Sequence, residues 1–260
     1  MGNQNSSETR VRPVFGQLLN EAPTGEPWLP RLLDLAGRSS SLALRLASNS
    51  GRLPSMGIKQ FFERELPPPS GFLEWLAQHP EQMTWPERKG RKEKYGELTQ
   101  EYREKLFGWH GSEEQRKAKL KALSEIRQKG PMKSKRQWWA FEGFTHVDCC
   151  LETDRLLLLI EGKRTDVLSP TTDWFERRNQ LSRNLEVAKE AAADKEYAVL
   201  LITEKVHSPI SSVQIGRGLP HMSEHDRENL ESHYLGSVLW KDVCKVTGLD
   251  FGALPDYVGN

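Results

Sequence analysis

The chain has 260 residues, of which 37% are hydrophobic and 28% are charged, so it can form one domain with a full core and a smaller appendage. Lys and Arg total 37 against 36 for Asp and Glu, and the net charge of +1 excludes a general attraction of the whole chain to nucleic acid. The three cysteines, Cys149, Cys150 and Cys244, lack CxxC spacing, which argues against a cysteine-ligated metal and favours a reducing, cytoplasmic setting.

Residues 1–30 are rich in Asn, Ser, Gly and Pro, and this composition predicts a flexible N-terminal segment. The segment contains no long apolar run. The longest such run elsewhere, residues 156–160, is far too short to cross a bilayer. We therefore expect neither a secretion signal nor a membrane span, and no membrane partner.

Residues 31–110 are predicted to form a helical N-terminal region, whose role the sequence leaves open. Apolar residues at helical spacing predict helices over residues 29–46, 58–65, 71–78, 98–107 and 112–128. The last two alternate Glu with Lys or Arg, which is typical of long exposed helices.

Residues 111–260 are predicted to hold the main domain with its C-terminal helices. The predicted elements are strands at 138–144, 147–153, 156–163 and 197–203 and helices at 173–193, 223–234 and 235–246. The first three strands form an antiparallel meander, and the helix after them, capped by Thr171, Thr172 or Asp173, implies a crossover onto the same sheet. The sequence thus predicts an α/β fold with a mixed central sheet flanked by helices.

Two acids and one lysine are expected to meet in the second and third strands. With the turn at Asp154 and Arg155, Asp148 lies opposite Glu161, and strand alternation puts Lys163 on the same face as Glu161. Like charges this close are unfavourable unless a cation neutralises them, and Mg²⁺ or Mn²⁺ prefers such oxygen ligands. The pattern therefore predicts a metal-dependent site for phosphodiester chemistry.

The predicted elements follow the order helix, three-stranded meander, helix and strand. Asp148 lies in the second strand, and Glu161, Gly162 and Lys163 lie in the third. This arrangement resembles the PD-(D/E)XK nuclease superfamily, with its restriction endonuclease-like, RecB-like core. The match covers residues 112–204, and Val147 replaces the proline of the motif's name. The resemblance implies that Asp148, Glu161 and the carbonyl of Gly162 ligate Mg²⁺ or Mn²⁺. It also implies that Lys163 orients or helps to deprotonate the attacking water.

The resemblance extends to two further side chains, and the register of the hairpin adds a third. Gln180 matches the glutamine that many RecB-like members place beside the site, and Glu125 matches an acid that the family often supplies from the helix before the sheet. Two other glutamates share that helix, so its rotation leaves the choice open. His146 is expected opposite Lys163, where it contacts a phosphate or closes the end of the hairpin.

Basic residues near this pattern are candidate contacts for nucleic acid. They are Arg177, Arg178, Arg183, His146, Lys135 and Arg136. The three arginines share a predicted helix and either contact the substrate backbone or pair with neighbouring acids at helical spacing. Lys135 and Arg136 precede two tryptophans, a pattern found in nucleic-acid grooves, although paired tryptophans also belong in protein cores.

The expected function is a divalent-metal-dependent nuclease that hydrolyses phosphodiester bonds, with DNA as the favoured partner. One alternative is a nucleic-acid-binding protein that keeps the nuclease fold without turnover. Another is a structural protein in which Asp148, Glu161 and Lys163 form a solvated ion cluster. The sequence does not distinguish DNA from RNA or end cleavage from internal cleavage. Double-strand cleavage by one site per chain would favour a homodimer.

Overall fold

The computed structural model describes residues 6–37, 58–133, 136–165, 167–206, 208 and 210–256. In chain order its helices and strands are a π-helical turn at Ser7–Val11, α1 at Arg12–Glu21, α2 at Leu29–Ala36, β1 at Lys59–Leu66, α3 at Ser70–Gln78, β2 at Glu87–Arg88, β3 at Arg91–Lys92, α4 at Glu97–Leu106, α5 at Glu113–Lys129, β4 at Thr145–Glu152, β5 at Leu156–Lys163, α6 at Gln180–Ala192, β6 at Glu196–Thr203, α7 at Ser212–Arg217, α8 at Glu224–Glu231, β7 at Tyr234–Leu239 and α9 at Trp240–Thr247. Three-residue 3₁₀ turns lie at Pro80–Gln82, Pro131–Lys133 and Phe251–Ala253.

Five strands form a mixed sheet in the order β1-β4-β5-β6-β7. β4 runs antiparallel to both of its neighbours, whereas β5, β6 and β7 are parallel to one another. α6 connects β5 to β6 as the predicted crossover. The predicted α/β class, with a mixed sheet flanked by helices, is therefore confirmed. β2 and β3 pair separately as a short two-stranded ribbon.

The hairpin of β4 and β5 has the register predicted from its turn. Cys149 lies opposite Ile160, and the pairing continues to the turn in the same register. Thr153 closes the two-residue loop, because its hydroxyl accepts the backbone N–H of Leu156 at 2.9 Å. A slip of one residue would move every apolar side chain of β5 to the opposite face of the sheet.

Alternate residues of β5 enter two different cores, which explains why its apolar run is continuous. Leu156, Leu158 and Ile160 pack with residues of α1, α2 and α9 on one face of the sheet. Leu157 and Leu159 pack with residues of α6 on the other face. The central strand is thus buried on both sides, and the domain has three layers of helix, sheet and helix.

The helical region is an insertion between two neighbouring strands of the sheet, because α3, α4 and α5 lie between β1 and β4 in the chain. α5 packs against both α3 and α4. The insertion has an aromatic core of its own, which also takes up side chains from the loop before α6. Its aromatic members are Phe72, Trp85, Trp138, Trp139, Phe141, Trp174 and Phe175.

Two predicted elements are wrong, and they concern the first strand of the meander. Residues 58–65 were expected to be helical but form β1, because Phe61 and Phe62 favour a strand and their segment pairs along β4. Residues 138–144 were expected to form a strand but consist of turns and irregular backbone, because their tryptophans enter the aromatic core of the insertion. The meander therefore consists of β1, β4 and β5.

Two predictions after the meander also need correction. The helix expected from Asp173 begins only at Gln180, because the side chain of Asn179 caps it by accepting the backbone N–H of Ser182 at 2.8 Å. Residues 235–246 are not one helix. Their first part belongs to β7, which pairs with β6 as the fifth strand of the sheet, and the rest forms α9.

The described part of the predicted flexible N-terminal segment includes α1, which buries Val14 and Phe15 completely in the core. The helix predicted over residues 29–46 is α2, and its part beyond residue 37 lies outside the described residues. The remaining predicted helices are confirmed as α3, α4, α5 and α8. None of the described helices combines the length and the apolar character that a membrane span requires.

Candidate active site

The site lies where β4 and β5 part. The backbone pairing of the two strands ends at Cys149 and Ile160, one residue before Asp148 and Glu161 would face each other. Beyond this point Oδ2 of Asp148 accepts the backbone N–H of Gly162 at 2.8 Å. A side chain thus replaces a ladder hydrogen bond, and it holds Asp148 at the fork between the strands.

Glu161 is only 3% exposed, and three side chains donate to its carboxylate. Nε2 of Gln180 lies 2.6 Å from Oε1, Nδ2 of Asn184 lies 3.1 Å from Oε2, and Nζ of Lys163 lies 2.9 Å from Oε1. The structure therefore brings together Glu161, Lys163 and Gln180, as the sequence predicted. Such contacts hold the acid in one rotamer.

Asn184 is a site residue that the sequence reasoning missed. It follows Gln180 by four residues on α6, so the two amides lie one helical turn apart on the same face. Asn184 is 1% exposed, and its Oδ1 has no hydrogen-bond partner among the described residues. A polar residue four positions after Gln180 on an otherwise core-facing helix was the signal that would have identified it.

The two acids at the fork interact electrostatically. Burial, followed by the negative charge of Glu161, raises the pKa of Asp148 to about 7. The N–H of Gly162 and the charge of Lys163 lower the pKa of Asp148, but they offset only part of this rise. A group in this situation either binds a proton or needs a further cation close to it, which is the electrostatic requirement of a metal ligand.

Gly162 fits the role of a backbone ligand. Its N–H points to Asp148, and in an extended strand the N–H and C=O of one residue point to the same side, so its carbonyl faces the fork as well. Among the described residues no group of three or more His, Cys, Asp or Glu side chains forms a metal site. A cation at the fork would therefore use two carboxylates and this carbonyl, with water or substrate completing its shell. All these donors are oxygens, as Mg²⁺ and Mn²⁺ prefer.

Glu63 is a third acid near the fork, and no pattern in the sequence indicated it. The pairs of Phe62 with Cys149 and of Arg64 with Val147 place Glu63 of β1 beside Asp148 of β4. Glu63 has a φ of +50°, which is strained for a residue other than glycine. Its charge adds to the rise in the pKa of Asp148.

Glu125 does not join the fork. Both oxygens of its carboxylate are occupied, since Oε1 accepts the indole N–H of Trp138 at 3.3 Å and Oε2 accepts that of Trp139 at 3.1 Å. Lys129 also contacts Oε2, at 2.8 Å. The prediction that Glu125 belongs to the catalytic group is thus corrected: its described contacts anchor the aromatic core of the insertion.

Arg178 is completely buried and cannot reach a nucleic-acid backbone, so that prediction is wrong. Its guanidinium binds Glu142 through two hydrogen bonds of 2.7 and 3.1 Å and Glu186 through one of 2.9 Å. It also donates to the carbonyl of Gly218 and covers the ring of Phe72. The residue ties the insertion to the main domain.

The other predicted nucleic-acid contacts lie at or near the surface. Arg177 is exposed and lines, with Lys163 and Arg217, a cavity of about 570 Å³. Arg183 is partly buried and lines a second cavity of about 560 Å³, whose wall includes Gln180. The wall of the first cavity thus includes Lys163 and that of the second includes Gln180, two of the donors that hold the carboxylate at the fork.

His146 and Arg136 are both exposed and line a third cavity, of about 520 Å³. His146 was expected opposite Lys163, but β4 has parted from β5 at this point, and His146 pairs with Glu65 of β1 instead. Lys135 lies outside the described residues.

Comparison of the chain with known protein families, with curated proteins and with solved structures finds no match. What the site can do is therefore argued from the residues at the fork and from the order of the elements that carry them. Asp148 comes from β4, Glu161 and Lys163 come from β5, and Gln180 opens α6.

Proposed function

We propose that this protein is a divalent-metal-dependent nuclease that hydrolyses phosphodiester bonds, with DNA as its favoured substrate. One observation carries the proposal: the buried carboxylate of Glu161 is held by Lys163 and Gln180 next to Asp148, whose pKa is raised to about 7. A solvated ion pair on a sheet surface would be exposed and would leave the pKa of a neighbouring acid near its usual value. Strongly perturbed acids next to a lysine are typical of catalytic sites.

The order of elements supports the same proposal. β1, β4 and β5 form a meander, α6 follows, and β6 adds to the sheet in parallel with β5. This order resembles the meander, helix and strand of the restriction endonuclease-like core, here with a helical insertion after the first strand. Because a fold alone does not define an activity, the proposal depends chiefly on the fork.

Asp148, Glu161 and the carbonyl of Gly162 would hold Mg²⁺ or Mn²⁺ in this nuclease. When bound, the ion lowers the pKa of a coordinated water and offsets the charge that develops on the phosphate. Gln180 and Asn184 hold Glu161 in place, since each donates to a different oxygen of its carboxylate. Both act as positioning residues for the acid.

Lys163 is the residue proposed to orient the attacking water. Its ammonium group bonds to Glu161 and also lies in the wall of the cavity shared with Arg177. It therefore lies between the acid at the fork and the space that a substrate strand would enter. From this position it can orient the water and the phosphate oxygens.

Cleavage of a panel of plasmid, linear duplex, single-stranded DNA and RNA tests the proposal. We expect cleavage with Mg²⁺ or Mn²⁺ that stops in EDTA and in the Lys163→Ala and Asp148→Ala variants. Lys117→Ala is the matched control, because Lys117 is exposed on α5 and pairs only with Glu113 among the described residues. Cleavage that persists in both site variants would contradict the proposal. Substrate binding without cleavage would favour the alternative of a binding protein that keeps the fold.

A further inference from the structure

Arg103 of α4 is a buried cation surrounded by aromatic rings. It is 4% exposed, and its Nε donates to the carbonyl of Trp138 at 2.7 Å. The guanidinium carbon lies 4.0 Å from the ring centre of Tyr95, 4.7 Å from that of Trp174 and 5.5 Å from that of Phe141. The faces of the guanidinium are thus covered, and only its edge is left for other ligands.

This buried charge has no carboxylate partner among the described residues, and its Nη1 makes no hydrogen bond there. Glu93 acts on it electrostatically, but this acid is itself engaged by Arg88 at 3.2 Å and by the hydroxyl of Tyr95 at 3.1 Å. Arg178, which is equally buried, has two glutamates as partners. An unpaired buried charge is costly, and Arg103, unlike Arg178, makes no ion pair with a carboxylate among the described residues.

Arg103 borders two adjoining cavities, of about 560 and 520 Å³. Both lie between the insertion and the main domain, and they share a wall of six residues. These residues are Tyr95, Arg103, Ala140, Glu142, Gly143 and Phe144. The unmet donor therefore belongs to a residue that lines a space large enough for a ligand.

A second arginine in the wall of the larger cavity also has an unmet donor. Nη2 of Arg183 donates to the carbonyl of Gly143 at 2.8 Å, whereas its Nε lies 3.8 Å from Oε1 of Glu142 and has no hydrogen-bond partner among the described residues. Burial lowers the pKa of both Arg103 and Arg183, which shows that each cation is poorly solvated. The acids in this wall are Glu93, Glu142 and Asp173. Glu142 is already neutralised by Arg178.

We propose that this cavity binds a phosphate group of the nucleic-acid strand, with Arg103 and Arg183 as the donors. Guanidinium groups match the geometry of phosphate oxygens, and an anion would supply the partner that Arg103 lacks. Gln180 lines the same cavity and donates to Glu161, so the bound phosphate lies one side chain away from the fork. The assignment of the phosphate to a nucleic-acid strand rests on the proposed nuclease function.

Inorganic phosphate is the first probe, used in EDTA with sodium chloride at equal ionic strength as the reference. We expect phosphate to raise the melting temperature of the wild-type protein. The rise should disappear in Arg103→Met and persist in Arg116→Met, a control on the exposed face of α5. Without phosphate, Arg103→Met should melt at or above the wild-type temperature, because an unpaired buried charge has been removed. Absence of the rise in the wild type, or its persistence in Arg103→Met, would overturn the proposal.

Arg103→Lys is a second variant, for the case that Arg103→Met does not fold. It keeps the positive charge but lacks the planar set of N–H donors of a guanidinium. It should show a smaller phosphate shift than the wild type. A full shift would overturn the role given to the guanidinium.

Binding of a single-stranded oligonucleotide, measured by fluorescence anisotropy in EDTA, then tests the source of the phosphate. We expect Arg103→Met to bind it about tenfold more weakly, or worse, and Arg116→Met to bind like the wild type. Equal affinity of wild type and Arg103→Met would overturn the assignment to a nucleic-acid strand. Because both measurements exclude metal and turnover, they separate a failure of this inference from a failure of the proposed nuclease activity.

Discussion

The backbone N–H of Gly162 donates to the carboxylate of Asp148 at 2.8 Å, so a side chain of β4 takes the place of a backbone partner for β5. The position also needs a residue without a side chain. A Cβ at residue 162 would lie 2.4 Å from Cγ2 of Val11 and 3.0 Å from Cζ2 of Trp240. The close approach of the N-terminal turn and of α9 to the fork therefore depends on this glycine.

The Gly162→Ala variant should be destabilised by about 1–3 kcal/mol, because the added methyl group overpacks a buried contact. It should also lose cleavage activity, since β5 must shift away from Val11. Urea denaturation measures the first effect and a cleavage assay the second. Gly16→Ala is the control: no atom lies within 4 Å of its added Cβ, and alanine is the better helix former in α1. Equal stability of Gly162→Ala and the wild type would contradict the packing described.

Asn184→Ala should lower the cleavage rate about 10- to 100-fold, because a residue that holds a metal ligand typically contributes this much. The fold should persist, since Gln180 and Lys163 still bind Glu161. Metal-dependent cleavage and a circular dichroism spectrum measure the two effects. Lys189→Ala, an exposed change on the same helix, should leave the rate unchanged. A folded Asn184→Ala variant with the full rate would show that the amide is not needed.

Asp148 should make the stability of the metal-free protein depend on pH. Burial and the charge of Glu161 raise the pKa of Asp148 to about 7, whereas an aspartate in an unfolded chain titrates near about 4. Between these values the folded state holds a proton that the unfolded state has lost. The contribution to stability is thus fully present below about pH 4 and is lost as the pH rises through about 7.

Asp148→Asn removes this titration and provides the test. Its free energy of unfolding in EDTA, relative to that of the wild type, should increase between about pH 4 and 7 and then level off. Asp34→Asn, at an exposed position of α2, should show a constant difference. Urea denaturation over this pH range measures both. A constant difference for Asp148→Asn would show that Asp148 titrates normally in the folded protein.

Arg177 and Arg178 are neighbours in sequence, but replacing each by alanine should affect a different property: stability for Arg178 and DNA binding for Arg177. Arg178→Ala should destabilise the fold by about 3–5 kcal/mol, because it leaves Glu142 and Glu186 buried without a cation. Arg177→Ala should leave stability unchanged and weaken DNA binding, since Arg177 is exposed beside Lys163. Thermal unfolding and anisotropy measure the two properties. A destabilised Arg177→Ala, or a stable Arg178→Ala, would contradict the burial described.

The sequence predicted the β4–β5 hairpin and its register because their determinants are local. The turn at Asp154 and Arg155 and the continuous apolar run of β5 specify the pairing within a few residues. The same locality accounts for Gln180 reaching Glu161, since a single crossover helix connects their elements. The most local part of the site was thus the most predictable.

Long-range pairing was not predictable in the same way. Glu63 and Asp148 are separated by the whole helical insertion, and the segment KQFFEREL is compatible with a helix until β4 offers its edge. The tryptophans at 138 and 139 have strand-forming character, but the insertion's aromatic core draws them out of the sheet. Tertiary contacts therefore override local preference at both ends of the insertion.

The proposed nuclease requires that Asp148 and Glu161 together bind a divalent cation at the fork of β4 and β5. An anomalous difference map from a crystal soaked in Mn²⁺ tests it most directly. We expect a peak at coordination distance from the carboxylates of both residues, which disappears in Asp148→Asn. A map with no peak between the two acids, or with Mn²⁺ bound only elsewhere, would contradict it.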